Sequence, residues 1–276
     1  MKNIKIILLF CYFCANLFSQ TEKIVENQER INSLFDKIIS AKNDTVSLIC
    51  NDSIKLVLDD ILQKENSFFV DFENVTHLGK ITSSDRQVNI FTWNIPLEDR
   101  TLFNGFIQLA DGTLFTLESK TSFKPLENNQ YGTTNWYGAL YYGIVPFKNV
   151  AKETCYALAG WSIYKPDTNV KVIDILSFDE ENIPVLGLPQ FEVKDEDGNK
   201  KDFLKSRIVF EYDSQTVMYL EYNTQKKRFE FDHLSPMKVI DGKIISYATD
   251  LSIDGYKFKK DKWFYLDDLK FKNRHY

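Results

Sequence analysis

Between Asn135 and Phe178 the chain holds three dense runs of aromatic and β-branched residues, Asn135–Phe147, Cys155–Tyr164 and Val170–Phe178. Short apolar runs separated by turn-forming residues are the pattern of consecutive buried strands. This stretch therefore belongs at the middle of a β-sheet core, and the rest of the chain must be built around it.

The flanking sequence divides in two. From Thr21 to Asn66, Ile24, Ile31, Leu34, Phe35, Ile38 and Ile39 recur at helical spacing, the pattern breaks at Asn43-Asp44, and Ile54, Val57, Leu58, Ile61 and Leu62 form a second apolar stripe. This predicts a helical hairpin, with Asp44 or Asp52 capping its second helix. After Ser67 the period becomes strand-like. Strands are expected at Gln87–Ile95, Thr101–Leu109, Thr113–Ser119, the three central runs, Pro184–Val193, Arg207–Tyr212, Thr216–Tyr222, Arg228–His233, Lys243–Tyr247 and Trp263–Leu269. Asp111-Gly112, Asp197-Gly198, Asp241-Gly242 and Asp254-Gly255 read as hairpin turns between them. The expected fold is mainly β (α+β): a signal peptide at 1–20, a helical hairpin at 21–66 and a large antiparallel β-meander domain at 67–276. A faint echo of aromatic strand ends at Trp93, Trp161 and Tyr212 suggests a propeller-like or barrel-like closure.

Lys2 and Lys5, the apolar stretch Ile6–Ala15 and small Ser19 have the layout of an export signal. The apolar stretch is about half the roughly 20 residues that a spanning helix needs, and no later segment is a candidate, so no integral membrane segment is expected after signal removal. Losing Lys2 and Lys5 takes the net charge from −5 to −7. Acidity of that kind argues against a nucleic-acid partner, which requires a concentrated basic surface. Cys11 and Cys14 have C-x-x-C spacing but lie inside the signal, which leaves Cys50 and Cys155. Two readings stay open for these: one disulfide closing a long loop in an oxidising compartment, or two buried thiols acting as small hydrophobes.

Few residues invite chemistry. Asp232-His233 suggests a general base, yet neighbours on a strand point to opposite faces, so Asp232 is badly placed to orient His233. Gly160-Trp161-Ser162-Ile163-Tyr164 lacks the second glycine of a nucleophile elbow. Asp195-Glu196-Asp197-Gly198-Asn199 resembles part of a calcium loop, but its glycine comes fourth and two lysines follow. No zinc spacing, phosphate-cradling loop or dinucleotide fingerprint is present, and no cofactor is called for. The 22 Phe, 14 Tyr and 4 Trp are the unusual feature. Trp136 and Tyr137 are the candidate ligand-binding pair, as a stacking platform for sugar rings; core filling is the plainer explanation of the same residues.

Ile81–Asp85 leading into Val88–Asn94, Trp136–Tyr142, Tyr156–Trp161 and Phe231–Leu234 together resemble a group of exported Bacteroidota proteins without an assigned function. The resemblance covers most of the chain after the signal and implies a periplasmic or extracellular setting. It carries over no catalytic residue or ligand. The expected function is a non-enzymatic binding or envelope-associated module, with a glycan or another envelope protein as partner. The alternative is a glycan- or peptide-directed hydrolase using paired carboxylates.

Overall fold

The computed structural model describes residues 23–119, 121, 123–194 and 200–269. The expected signal at 1–20, Cys11 and Cys14, the acidic turn 195–199 and His275 lie outside them. The protein is mainly β, with two helices at its N-terminus and sheets that are antiparallel but for one pairing. It divides into two compact units at Leu78/Gly79. No helix among the described residues is long and apolar enough to cross a membrane.

The first unit contains helix α1 (23–39) and helix α2 (Asp44–Leu62). Asn43 caps α2: its extended backbone turns the side chain to accept the Val46 amide at 3.1 Å, and Asp44 takes the first turn, where a carboxylate complements the helix dipole. Ile31, Phe35 and Ile38 of α1 and Ile54, Leu58, Ile61 and Leu62 of α2 are buried, as their spacing predicts. The unit runs past residue 66 because the next segment is tied back onto α1. Gln28 donates to the Asp71 carbonyl at 2.5 Å, and Asn32 both donates to the Asn74 carbonyl at 2.8 Å and accepts the Thr76 amide at 2.9 Å.

The second unit holds three sheets. The first is the meander β1 (Gly79–Thr82), β2 (Val88–Pro96), β3 (Thr101–Leu109) and β4 (Leu114–Glu118). The middle sheet is made of β5 (Leu140–Lys148), β6 (Thr154–Lys165) and β7 (Thr168–Phe178), with β8 (Pro184–Leu186) on the end of β7 and β11 (Ile208–Asp213) along its outer side. The third contains β9 (Phe191–Lys194), β10 (Lys200–Lys205), β12 (Leu220–Asn223), β13 (Arg228–Ile240), β14 (Lys243–Lys259) and β15 (Lys262–Leu266), in the order β10-β9-β15-β14-β13-β12. Each of these sheets ends on two edge strands, so the barrel-like closure does not form among the described residues.

The middle sheet explains the three apolar runs. Side chains alternate between the faces of a strand. Tyr156 and Leu158 of β6 and Val170, Val172 and Leu176 of β7 join Val88, Ile90, Phe103 and Ile107 in one core cluster. Their neighbours Cys155, Ala157, Ala159, Ile173 and Ile175 join Phe229, Phe231, Tyr256 and Trp263 in a second. Both faces of β6 and β7 carry core residues, so apolar side chains are needed on consecutive positions rather than only on alternate ones, with Asp174 as the buried exception.

Two expectations about punctuation fail. Pro184–Val193 is not one strand but two, β8 and β9, which belong to different sheets. The break falls at Gly187, whose φ of +99° suits glycine alone and where a Cβ would stand 2.6 Å from Arg207 Nη2. Asp254-Gly255 is not a turn but the interior of β14. Gly255 is needed there because a Cβ would sit 2.5 Å from the Phe229 carbonyl oxygen on the paired strand. Strands β1 and β10 were not expected at all; both are short and lysine-bearing.

The most deeply placed charges are Arg207 and Asp174, each without exposed side-chain surface. Arg207 Nη1 donates to the carbonyls of Leu126 and Asn129 at 2.6 and 2.7 Å, and Nη2 to that of Leu186 at 3.1 Å. Its Nε lies 3.2 Å from Asp174 Oδ2, close enough for strong charge attraction although off the hydrogen-bonding direction. The guanidinium lies against the rings of Tyr131 and Tyr137, 4.6 and 5.3 Å from their centres. Removing one member strands the other in a dry site, which costs about 3–5 kcal/mol. Asp174→Asn is therefore expected to lower unfolding free energy by about that amount in urea titration. Adding Arg207→Met to it should recover part of the loss.

Candidate functional site

Trp136 and Tyr137 are both fully buried, so they are not a stacking platform facing solvent. They begin a hydrogen-bond chain: the Trp136 indole donates to the Tyr141 hydroxyl at 3.2 Å, the Tyr141 and Tyr137 hydroxyls lie 3.0 Å apart, and Tyr137 donates to Asp174 at 2.8 Å. Burial, and then the Asp174 charge, push the Tyr137 hydroxyl well above its ordinary range, so it remains a proton donor. Ser162 is buried as well and donates to the Gly138 carbonyl at 2.6 Å, a packing role. His77 packs against Phe35 in the first unit, with ring centres 5.8 Å apart and planes tilted by 52°. Cys50 and Cys155 are both free and buried, one in each unit. Burial pushes the Cys155 thiol up to about 11.

The partly exposed aromatics gather elsewhere. A cleft of about 390 Å³ opens between β11, β13, β14 and β15. Phe210, Tyr247 and Tyr265 line it and keep part of their surface in solvent. Beneath them lie buried Phe231 and Tyr256: Phe231 meets Phe210 with ring centres 4.6 Å apart, and Tyr256 meets Tyr265 at 5.5 Å. The aromatic floor is held rigidly because its lower layer is part of the core cluster between the middle and third sheets.

His233 supplies the polar side of this cleft. As its neighbour relation implies, Asp232 does not orient it; the Asp232 carboxylate accepts the Tyr219 amide at 2.7 Å. The partner is Asp254 on the paired strand, whose Oδ2 lies 2.7 Å from His233 Nδ1. Asp254 is nearly inaccessible and is itself fixed: Oδ2 accepts the Tyr265 hydroxyl, and Oδ1 accepts the Asp268 amide at 3.1 Å. The hydrogen bond to Asp254, helped by the charges of Asp254 and Asp250 against a burial penalty, raises His233 above the ordinary 6.5. Asp250 is held down to about 2 by hydrogen bonds from Ser235 and Ser252. On the opposite wall Glu211 takes hydrogen bonds from Lys124 and from Tyr164 at 2.7 Å, which outweigh burial and keep its carboxyl below the ordinary value.

A larger cleft of about 470 Å³ is lined by Asp111, Glu153 and Asp179 together with Cys155 and Tyr156. Its acids are turned into their own loops. Asp111 accepts the Thr113 amide, Asp179 accepts the amides of Glu181 and Ile183, and Glu153 accepts from the Asn149 side chain. These are turn-closing contacts, and they tie each carboxylate to a donor of its own loop, backbone amides for Asp111 and Asp179 and the Asn149 side chain for Glu153.

No family model matches the chain, and no curated protein and no solved structure matches it significantly.

Two outcomes follow for these groups. Titrating the imidazole of Asp254→Asn by NMR should show the His233 pKa falling towards 6.5, since the largest cause of its elevation is removed. Alkylation without reductant should modify both Cys50 and Cys155 in the unfolded chain and neither rapidly in the folded one; protection that survives unfolding would mean a disulfide.

Proposed function

We propose that this chain is an exported, non-enzymatic binding module of a Bacteroidota envelope, and that it binds a glycan through the aromatic cleft beside His233. The observation that carries the reading is the coincidence of three partly exposed rings, Phe210, Tyr247 and Tyr265, with hydrogen-bonding groups of fixed orientation in one cleft. A sugar ring offers apolar C–H faces to aromatic rings and hydroxyls to imidazole and carboxylate, so it uses both halves of such a surface. A binding role fits better than acyl transfer, because the nearby hydroxyls of Ser235 and Ser252 donate to Asp250 and neither is poised on the imidazole. Export is supported by the apolar stretch between Lys5 and Ser19, and the source by the motifs around Trp93, Trp136, Trp161 and His233.

A glycan array probed with the chain lacking residues 1–20 tests this directly. Binding to a defined set of glycans is expected, and Tyr247→Ala or Phe210→Ala should each weaken it about tenfold, the loss of one stacking contact. Uniform silence across the array would remove the glycan reading.

A further inference from the structure

The β13–β14 hairpin is far longer than the sheet it belongs to, and it is interrupted where it leaves that sheet. Asp232 pairs with Ile253 and the next pair is Leu234 with Thr249, so His233 alone stands opposite Asp250, Leu251 and Ser252. Such an extra-residue bulge bends a ribbon and breaks its ladder of hydrogen bonds. Leu251, at its apex, has a φ of +71° and is almost wholly exposed, which costs a non-glycine residue backbone strain without any packing in return. Beyond the bulge, Met237, Val239, Ile240, Ile244 and Ile245 are exposed, so little apolar burial holds the outer ribbon. The bulge is the natural hinge of this arm, and the arm supplies Leu234 and Tyr247 to the cleft.

The polar groups at the hinge span its two sides. Asp254 belongs to the sheet side, anchored by Tyr265 and the Asp268 amide. Asp250 belongs to the ribbon side, tied to Ser235 on the opposite strand at 2.7 Å. His233 lies between them, with Nδ1 2.7 Å from Asp254 and Nε2 4.0 Å from Asp250. We propose that His233 is a pH-sensitive clamp: with both ring nitrogens protonated it fastens the outer ribbon to the sheet through Asp254 and Asp250, and with one proton lost it releases that ribbon and the cleft wall it carries.

The chemistry is a matter of proton count. Asp254 requires a donor, so Nδ1 keeps its proton in both states. In the charged ring Nε2–H is attracted to Asp250; in the neutral ring a lone pair faces a carboxylate instead. The other groups around the ring are Tyr265 and Asp267 from β15 and its continuation, Asp232 beside it, and the Glu211–Lys124 pair on the opposite wall. The acids among them favour the cation, in the same direction as Asp254 and Asp250. Because the folded value is raised, the clamp is complete below 6.5 and is lost as pH rises through the raised value.

Hydrogen exchange of the ligand-free protein, corrected for intrinsic rates, tests the clamp at about pH 5 and about pH 9. Amides of 234–250 should lose about twofold to fivefold protection at the higher pH, the worth of a partly exposed ion pair, while those of 228–232 and 253–256 keep theirs. In His233→Gln, or in Asp250→Asn should that variant fold better, protection of the outer ribbon should be the same at both pH values. A flat profile in the native chain, or an equal change in the variants, overturns the proposal. Control of the cleft rests on the binding reading above, and the two fail separately. A pH-dependent ribbon with a silent glycan array retains the clamp and removes the ligand, whereas a flat ribbon with pH-independent glycan binding does the opposite.

Discussion

Arg207 sits where water cannot reach it, and the second unit is arranged to satisfy its charge. A guanidinium in a dry interior is tolerable only when each direction of its fork meets an acceptor or an aromatic face. Here the acceptors are drawn from three places: carbonyls at Leu126 and Asn129 in the long connection before β5, the carbonyl at the end of β8, and Asp174 in the middle of β7. A connection with little regular structure is thereby pinned onto the central sheet. That pinning brings Trp136 and Tyr137 into the core, and it leaves Gly187 as the one residue small enough to pass beside the guanidinium. The charge of Asp174 then reaches outward through the Tyr137 and Tyr141 hydroxyls, a hydrogen-bonded chain of the kind that specifies one arrangement of a core.

Much of this architecture can be read from residue order, because burial and periodicity are local signals. The two helical stripes, apart from exposed Ile39 at the end of the first, and the strand at Thr101–Leu109 appear where the pattern places them. The apolar residues on both faces of Val170–Leu176, Val170, Val172 and Leu176 on one and Ile173 and Ile175 on the other, report a sheet covered on both sides. What cannot be read locally is which partner a polar residue meets. Arg207 resembles any charge at the start of a strand, and Asp254-Gly255 resembles a turn; both readings change only when distant segments converge on them. The same pair of letters makes a genuine hairpin turn at Asp241-Gly242 and a mid-strand crossing at Asp254-Gly255.

The candidate site shows this limit most clearly. Aromatic abundance points to stacking surfaces but does not say which rings keep a face in solvent. Trp136, the most conspicuous, is fully buried, whereas Phe210, Tyr247 and Tyr265 are scattered through separate strands and meet only by register. His233 is one of three histidines in the sequence, and the alternation of a strand correctly argues against Asp232 as its partner. Its real partner lies 21 positions along the chain, at a distance fixed by the length of a hairpin and the size of its bulge.

The place of β15 in the third sheet has a consequence for how the chain reaches its folded state. Lys262–Leu266 is the last strand described, yet it lies between β9 and β14, joining a pair made about 70 residues earlier to one just completed. Until it has left the ribosome, that sheet is two fragments with a vacant centre, and the apolar face of the middle layer that they should cover, including Ile173 and Ile175, stays wet. Completion of this sheet therefore waits for the last of the described strands in chain order. A sheet built in this order stays divided after β13 and β14 have paired, and closes only when β15 enters its centre.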